Sequence, residues 1–180
     1  MERARVIGSR RVYDGRVIRV EVDEVEEPGG VRAVREVVRH QGSVAILPVH
    51  ADGRIVLVRQ YRYPVDRFVW EIPAGRRDVG ETPAAAAARE LEEEVGLRPA
   101  RLELLCAYDT SPGFCDEVMH LFRAEELAEV PRRPDDDERI EIGTFSLDVV
   151  QAMILAGDVR DAKTLLAVTM EGSRQKRGVS

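Results

Sequence analysis

The chain has 180 residues, of which 44% are hydrophobic and 33% charged, so it suits one domain with a sizeable core and a soluble surface. Its formal net charge of −6 argues against non-specific nucleic-acid binding, and no apolar run approaches the roughly 20 residues of a membrane-spanning helix. The N-terminus lacks the apolar segment of a signal peptide and the two cysteines need not pair, so we expect a cytoplasmic protein.

Residues 1–40 have the pattern of a small antiparallel sheet. Apolar and polar residues alternate over 17–22, Glu27-Pro28-Gly29-Gly30 marks a turn, and 31–38 reads as a returning strand. We therefore predict an N-terminal β-sheet subdomain over 1–40 and a main domain over 41–180.

The main domain combines strands and helices. Apolar runs bounded by turn residues predict strands at 44–49, 55–60, 101–108, 117–123 and 139–145. Two late helices are predicted, one over 147–156 and one from an N-cap at Asp161 to Met170. This order indicates an α+β or mixed α/β sandwich and not a doubly wound parallel sheet.

The clearest helix in the chain is predicted over 83–95. Thr82 is a good N-cap, Pro83 occupies the first helical position, an alanine run follows, and Gly96 supplies the stop. The boundaries of this helix are therefore specified at both ends.

The C-terminal end of this helix carries Glu90, Glu93 and Glu94 directly after Arg89. Most charge runs are a solvated face, and that interpretation applies here too. However, these carboxylates lie at the negative end of the helix macrodipole, and Glu90 and Glu94 stack at i and i+4. A cation would relieve both repulsions, and oxygen-only ligands favour Mg2+ or Mn2+ over zinc. The pattern alone leaves a metal site and a solvated face equally open.

A longer spacing includes this cluster. It runs through Gly75, Glu81, Arg89-Glu90-Leu91, Glu93-Glu94 and Gly96-Leu97, with gaps of five, seven, one and one residues. This spacing resembles the Nudix box at every defined position. The resemblance implies a Nudix α/β/α sandwich with a mixed β-sheet, preceded by a small N-terminal antiparallel sheet. It also implies hydrolysis of a nucleoside diphosphate that is linked to another moiety.

The Nudix resemblance assigns roles to the residues of the box. Ala74, through its carbonyl, and Glu90 and Glu94 are implied as ligands of Mg2+, for which Mn2+ is a substitute. Glu93 and Arg89 are implied as catalytic, with Arg89 orienting a glutamate, either Glu93 or Glu81. We expect Gly75 to permit a tight turn that aims the Ala74 carbonyl at the metal.

Segments outside the box resemble the ADP-ribose pyrophosphatase subgroup of that family. They are Gln60-Tyr61-Arg62-Tyr63, Trp70-Glu71-Ile72-Pro73-Ala74-Gly75 and Ser111-Pro112-Gly113, whose proline lies fifteen residues past Leu97. The subgroup resemblance implies hydrolysis of ADP-ribose to AMP and ribose 5-phosphate.

The same resemblance implies a set of substrate-binding residues, with Arg62 at the phosphates: Arg62, Trp70, Ser111, Pro112 and Glu117. Each has a plain alternative. Arg62 alone is an ordinary arginine at a strand end, Trp70 suits the core as well as an adenine ring, and Pro-Gly is common turn chemistry.

An acidic stretch, Pro134-Asp135-Asp136-Asp137-Glu138, precedes the strand predicted at 139–145. By resemblance, Glu138 completes the metal site and Asp136 lies where some members have the general base, although that base is usually a glutamate. Other members use a glutamate of the box, here Glu93. The identity of the base stays open at this point among Glu93, Asp136 and Glu138.

Relatives in the subgroup dimerise through the N-terminal sheet, so the resemblance implies a homodimer. The physical pattern agrees, because a sheet this small is only marginally stable in water unless one face is covered.

Two alternatives to ADP-ribose hydrolysis remain. One is a Nudix enzyme for another nucleotide derivative, such as a nucleotide sugar, a dinucleoside polyphosphate or a modified nucleoside triphosphate. The other is a non-catalytic binding module with the same fold.

Overall fold

The computed structural model describes residues 2–133 and 139–178. The strands, in chain order, are β1 Arg5–Asp14, β2 Arg19–Glu26, β3 Arg32–Arg39, β4 Ser43–Pro48, β5 Ile55–Arg62, β6 Arg67–Glu71, β7 Ala74–Arg76, β8 Leu97–Asp109, β9 Val118–Glu129 and β10 Glu141–Phe145. The helices are α1 Pro83–Glu90, α2 Leu147–Ala156 and α3 Ala162–Lys176, with a 3-10 turn at Tyr63–Val65 and a π-helical turn at Leu91–Val95. In this part of the chain no helix is long and apolar enough to cross a membrane.

The chain divides into two compact units. The first comprises Met1–Gly42 together with Tyr108–Met119, and the second comprises Ser43–Ala107 together with His120–Ser180. The first unit contains the predicted N-terminal sheet, in which β1, β2 and β3 pair antiparallel in that order. Its inclusion of Tyr108–Met119 was not foreseen, and a subdomain over 1–40 alone stays a prediction.

The two faces of the N-terminal sheet differ in exposure. The register of β2 and β3 puts Val20, Val22 and Val34 on one face, where Val34 is exposed. The other face carries Asp23, which is buried and accepts hydrogen bonds from Ser9 Oγ at 2.6 Å and Arg39 Nη2 at 2.9 Å. One face is therefore fixed by a buried polar network, and the opposite face carries partly exposed valines beside the exposed Glu24 and Glu36.

The second unit holds the main hydrophobic core. Its two sheets have the strand orders β10-β5-β6 and β7-β4-β9-β8. Every residue of β4 is buried, as expected of a strand covered on both faces. The box helix, which is α1 with the π turn that follows it, packs on these strands. The core cluster consists of Val44, Ile46, Val56, Val58, Ala86, Ala87, Leu91, Val95, Leu97, Phe122 and Ala124.

The box helix begins where predicted but changes character before its end. Thr82 Oγ1 accepts a hydrogen bond from the Ala85 N–H at 3.2 Å, and Pro83 opens the helix. The α-helix ends at Glu90, and the predicted final turn is a π-helix over Leu91–Val95 that Gly96 closes at φ 75°. The prediction of one continuous α-helix over 83–95 was therefore wrong in its last turn. Single π turns of this kind are frequent at functional sites.

The last helix is longer than predicted. Asp161 caps α3, as expected, by accepting the Thr164 N–H at 3.0 Å. The helix continues past Met170 to Lys176, because Glu171 is buried and pairs with Arg123 at 2.8 Å. A partner distant in sequence thus extends a helix whose local pattern gave no reason to continue.

Candidate active site

Gly75 lies in β7 opposite Val44 and packs against the box helix. A Cβ atom built on Gly75 would overlap the carboxylate of Glu90. Gly75 lies within the extended strand β7 and has no positive φ, so the tight turn expected there was wrong. Glycine is required here because the Glu90 carboxylate occupies the space of a side chain.

Glu94 reaches the neighbouring residue of the same strand. Glu94 is only 2% exposed, and its Oε2 accepts a hydrogen bond from the Ala74 N–H at 3.2 Å. Two hydrogen bonds hold the backbone immediately before Ala74: Ile72 N–H donates to Thr164 Oγ1 and Ile46 N–H to the Pro73 carbonyl, each at 2.9 Å. Glu90 and Glu94 thus both approach a backbone segment with a fixed position.

Arg89 organises the acidic cluster. Its guanidinium donates to both oxygens of Glu81 at 3.0 Å, to Glu90 at 2.8 Å and to Glu93 at 2.9 Å. The remaining bond goes to the Arg76 carbonyl at 3.0 Å. All five N–H donors of the side chain are therefore used. Both expected contacts are present, the one to Glu93 from the spacing and the one to Glu81 from the resemblance.

These contacts change the protonation equilibria of the cluster. The hydrogen bond to Glu81 is the largest cause raising the pKa of Arg89, and the same bond lowers the pKa of the Glu81 carboxyl. Both shifts favour the charged forms. Arg89 therefore offsets the like-charge repulsion that the sequence spacing builds into the helix end.

The three box glutamates differ in access to solvent. The side chain of Glu93 is 39% exposed, whereas that of Glu90 is 12% exposed and Glu94 is buried. Glu93 thus offers the most accessible carboxylate beside Arg89.

The donor set fits a hard divalent cation. Within residues 2–133 and 139–178, no three His, Cys, Asp or Glu side chains lie close enough to hold a metal by themselves. Mg2+ does not require such a trio, because it commonly takes one or two carboxylates and keeps several water ligands. Glu90, Glu94 and the Ala74 carbonyl match that requirement, and their close approach to one backbone segment is the observation in favour of the fit.

Arg62 belongs to a buried polar network in the same unit. Its Nε donates to Glu71 Oε1 at 2.7 Å, and Glu71 is 2% exposed. Burial lowers the pKa of Arg62, but the bond to Glu71 and the charges of Glu71 and Glu94 raise it more. In the described part of the chain, Arg62 makes its hydrogen bond through Nε, and its side chain is 41% exposed. The terminal nitrogens are therefore available to an anion.

Sequence analysis missed Lys163, the second cationic partner of Glu71. Lys163 Nζ donates to Glu71 Oε2 and, at 2.8 Å, to Asp161 Oδ1. A signal was present, since Lys163 and Lys176 are the only lysines in a chain with 27 basic residues. A lysine amid so many arginines called for a specific explanation.

Trp70 packs in the sheet, away from Glu71. Its ring meets Phe145 edge-to-face with centroids 5.2 Å apart, and it fills space that a side chain at Gly143 would need. Successive residues of a strand point to opposite faces, so Trp70 and Glu71 are separated by β6. A substrate contact for Trp70 stays a prediction.

Ser111, Pro112 and Glu117 belong to the first unit, in the connection between β8 and β9. The Ser111 carbonyl accepts the Phe114 N–H at 3.1 Å, and Thr110 N–H donates to the Glu117 carbonyl at 3.1 Å. The Glu117 carboxylate also accepts Thr110 Oγ1 at 3.0 Å. These residues form a closed turn, and their substrate contacts stay predictions.

Asp136 and Glu138 lie outside the described residues. The residues that precede them, 130–133, are hydrogen-bonded to the end of the box helix. Val130 N–H donates to the Gly96 carbonyl at 2.9 Å, and Arg133 N–H donates to the Glu93 carbonyl at 3.2 Å. Residues 130–133, the last described before the acidic stretch, therefore lie beside the end of the box helix.

Three curated proteins resemble most of this chain. An ADP-ribose pyrophosphatase of Bacillus subtilis (strain 168) is 42% identical over 166 residues, covering 91% of this chain and 90% of that protein. A methanol dehydrogenase activator of Bacillus methanolicus is 39% identical with the same coverage. An ADP-ribose pyrophosphatase of Mycobacterium tuberculosis (strain ATCC 25618 / H37Rv) is 37% identical, covering 90% of this chain and 80% of that protein.

The fold also matches a solved structure. The crystal structure of an ADP compounds hydrolase superposes with a TM-score of 0.87 at 24% identity, covering 100% of this chain and 98% of that one. This likeness confirms the predicted fold class. The NUDIX domain model matches residues 39–167, a range that includes the whole box. The chain therefore belongs to the Nudix family of pyrophosphohydrolases.

Proposed function

We propose that the enzyme hydrolyses the pyrophosphate bond of ADP-ribose to AMP and ribose 5-phosphate with a divalent cation, Mg2+ or in its place Mn2+. The observation that carries the substrate is the similarity, over about nine tenths of the chain, to proteins named ADP-ribose pyrophosphatase. The geometry supports the chemistry, because Glu90 and Glu94 both approach the Ala74–Gly75 backbone.

The cation would be held by the Ala74 carbonyl, Glu90, Glu94 and, from the acidic stretch, Glu138. When bound, such an ion neutralises charge on the pyrophosphate and lowers the pKa of a water molecule. The two terminal nitrogens of Arg62 donate hydrogen bonds to the phosphate oxygens. In the reaction the water oxygen forms a bond to one phosphorus, and the bridging P–O bond breaks. The bridging oxygen leaves on the other phosphate.

We place the general base at Glu93, which accepts the proton of the attacking water. Its partial exposure and its bond to Arg89 support this assignment, because a base must be reachable by water and held in one orientation. Asp136 is the alternative base. Ser111, Pro112, Glu117 and Trp70 complete the proposed substrate contacts.

We also propose a cytoplasmic homodimer. The free thiols of Cys106 and Cys115 suit a reducing compartment. The accessible valines Val20, Val22 and Val34 on one face of the sheet support an isologous contact between two N-terminal sheets.

The function is tested by a substrate panel scored by kcat/KM. The panel contains ADP-ribose, a nucleotide sugar, a dinucleoside polyphosphate and a modified nucleoside triphosphate. We expect ADP-ribose to have the highest kcat/KM, and we expect no turnover once EDTA has removed the divalent cation. A higher kcat/KM for another substrate would refute the assignment of ADP-ribose.

Glu93→Gln, which keeps the shape of the side chain, should lower kcat by about 100-fold or more. Full turnover in Glu93→Gln would refute the role of Glu93 as the base.

Gly75→Ala tests the cation site. The new methyl group must displace the Glu90 carboxylate, whereas the backbone conformation of Gly75 is open to any residue. We expect the Mg2+-induced rise in melting temperature to shrink and activity to fall at least about tenfold, as for losses around a metal site. Gly8→Ala is the matched control, because its Cβ meets only ordinary contacts at 3.8 Å. A wild-type Mg2+ response in Gly75→Ala would contradict the site.

Val34→Glu tests the dimer by light scattering and activity. Wild type should have twice the mass of one chain, and the substitution should produce a monomer because it places a charge in the proposed interface. Leu155→Glu, at an exposed position in α2, should stay dimeric. A monomeric wild type, or a dimeric and fully active Val34→Glu, would overturn the proposal.

A further inference from the structure

We infer that Lys163 is a positioning residue that keeps the terminal nitrogens of Arg62 free for the substrate's phosphates. This inference rests on the proposed function, in which Arg62 binds the pyrophosphate.

Glu71 is a buried carboxylate shared between two cations. Its Oε1 accepts Arg62 Nε at 2.7 Å, and its Oε2 accepts Lys163 Nζ. One oxygen is therefore assigned to each cation. Arg62 thus engages a single oxygen through Nε, and among the described residues its terminal nitrogens make no hydrogen bond.

Loss of the Lys163 ammonium would leave Oε2 of Glu71 buried without its cation. A buried charge without a partner is costly, so the arrangement would relax toward a new partner. Arginine and a carboxylate prefer two parallel hydrogen bonds, from Nε and one terminal nitrogen to both oxygens. Arg62 is the nearest cation able to make that pair. It would then lose one of the donors that the phosphates need.

The position of Lys163 in α3 favours this role. Lys163 is the second residue of the helix, and a cation there faces the positive end of the macrodipole. Stability of the helix therefore gives no reason for a lysine at this position. Asp161 holds its ammonium at 2.8 Å and also caps the helix, so Lys163 has a fixed place.

The same helical turn reaches the cation site. Thr164, which Asp161 holds at 2.6 Å through its hydroxyl, accepts the Ile72 N–H two residues before Ala74. The N-terminal turn of α3 thus positions Arg62 through Glu71 and the Ala74 backbone through Ile72. A change in Lys163 that disturbed only the second path would alter the metal response, whereas the inferred role alters KM.

The test measures KM and kcat for ADP-ribose in Lys163→Met, Glu71→Gln and the double variant, with melting temperatures alongside. Lys176→Met, which replaces an exposed lysine at the end of α3, is the matched control. In Lys163→Met we expect KM to rise at least about tenfold, because the competent orientation of Arg62 becomes rare. The value of kcat should change by less than about threefold, since the chemical groups stay in place. Lys176→Met should match wild type.

The double variant separates this role from a structural one. In Glu71→Gln the side chain carries no charge and offers one acceptor oxygen, so it no longer draws a terminal nitrogen of Arg62. Lys163→Met should therefore leave KM unchanged when it is made in the Glu71→Gln background. A wild-type KM in Lys163→Met would overturn the inference, as would a tenfold rise in KM on adding Lys163→Met to Glu71→Gln. The second comparison also decides the matter if Lys163→Met alone does not fold.

Failure of the proposed function gives a different result. If wild type does not hydrolyse ADP-ribose, the substrate assignment fails and the same variants are measured on the leading substrate of the panel. If wild type hydrolyses ADP-ribose and Lys163→Met matches it in KM, only the role of Lys163 fails.

Discussion

The arrangement of the site depends on the pairing of the Arg89 guanidinium with the glutamates around it. Three glutamates of the box meet it, two of them at the negative end of the helix that carries them. Without this cation, the carboxylates would repel one another and separate. With it, all five donors are used, Glu81 and Glu93 are oriented, and the Glu90 carboxylate is directed to Gly75. Glycine at position 75 is the complement of that arrangement, because any larger residue would occupy the place of the carboxylate.

A second hydrogen-bond network, which includes the first turn of α3 near the C-terminus, also supports the site. The first turn of α3 holds Glu71 and Ile72, and Glu71 in turn holds Arg62. The residues of this network are far apart in the chain, yet each pairs a buried or half-buried charge with an opposite charge or a hydrogen bond. Such pairs are weak evidence for stability, because desolvation offsets the attraction. Their consequence here is geometry: the Ala74 backbone and the Arg62 side chain have fixed positions.

The sequence predicted what depends on local pattern and on spacing. The cap at Thr82, the stop at Gly96, the cap at Asp161 and the antiparallel N-terminal sheet are confirmed, because each is encoded by neighbouring residues. Long-range contacts were not predictable in this way. The pairing of Glu171 with Arg123 and the inclusion of Tyr108–Met119 in the first unit depend on partners distant in the chain. The π turn at Leu91–Val95 was not predicted either.

The site shows the same division between spacing and long-range contact. Spacing singled out Arg89, Glu90, Glu93 and Glu94, whose roles stay predictions. It assigned Gly75 to a turn, whereas this glycine makes room for a carboxylate. Lys163 could not be paired with Glu71 from the sequence, because 92 positions separate them. The roles of Asp136 and Glu138 stay predictions, since both lie outside the described residues.

The most direct test of this account is the Mg2+ dependence of activity in Arg89→Lys. Lysine keeps the charge but not the planar set of five donors, so it cannot hold Glu81, Glu90 and Glu93 together. Arg98→Lys is the control, because Arg98 pairs with Glu92 at the same helix end but in an exposed position. The account predicts that Arg89→Lys needs at least about tenfold more Mg2+ for half-maximal activity, whereas Arg98→Lys matches wild type. An unchanged Mg2+ requirement in Arg89→Lys would contradict it.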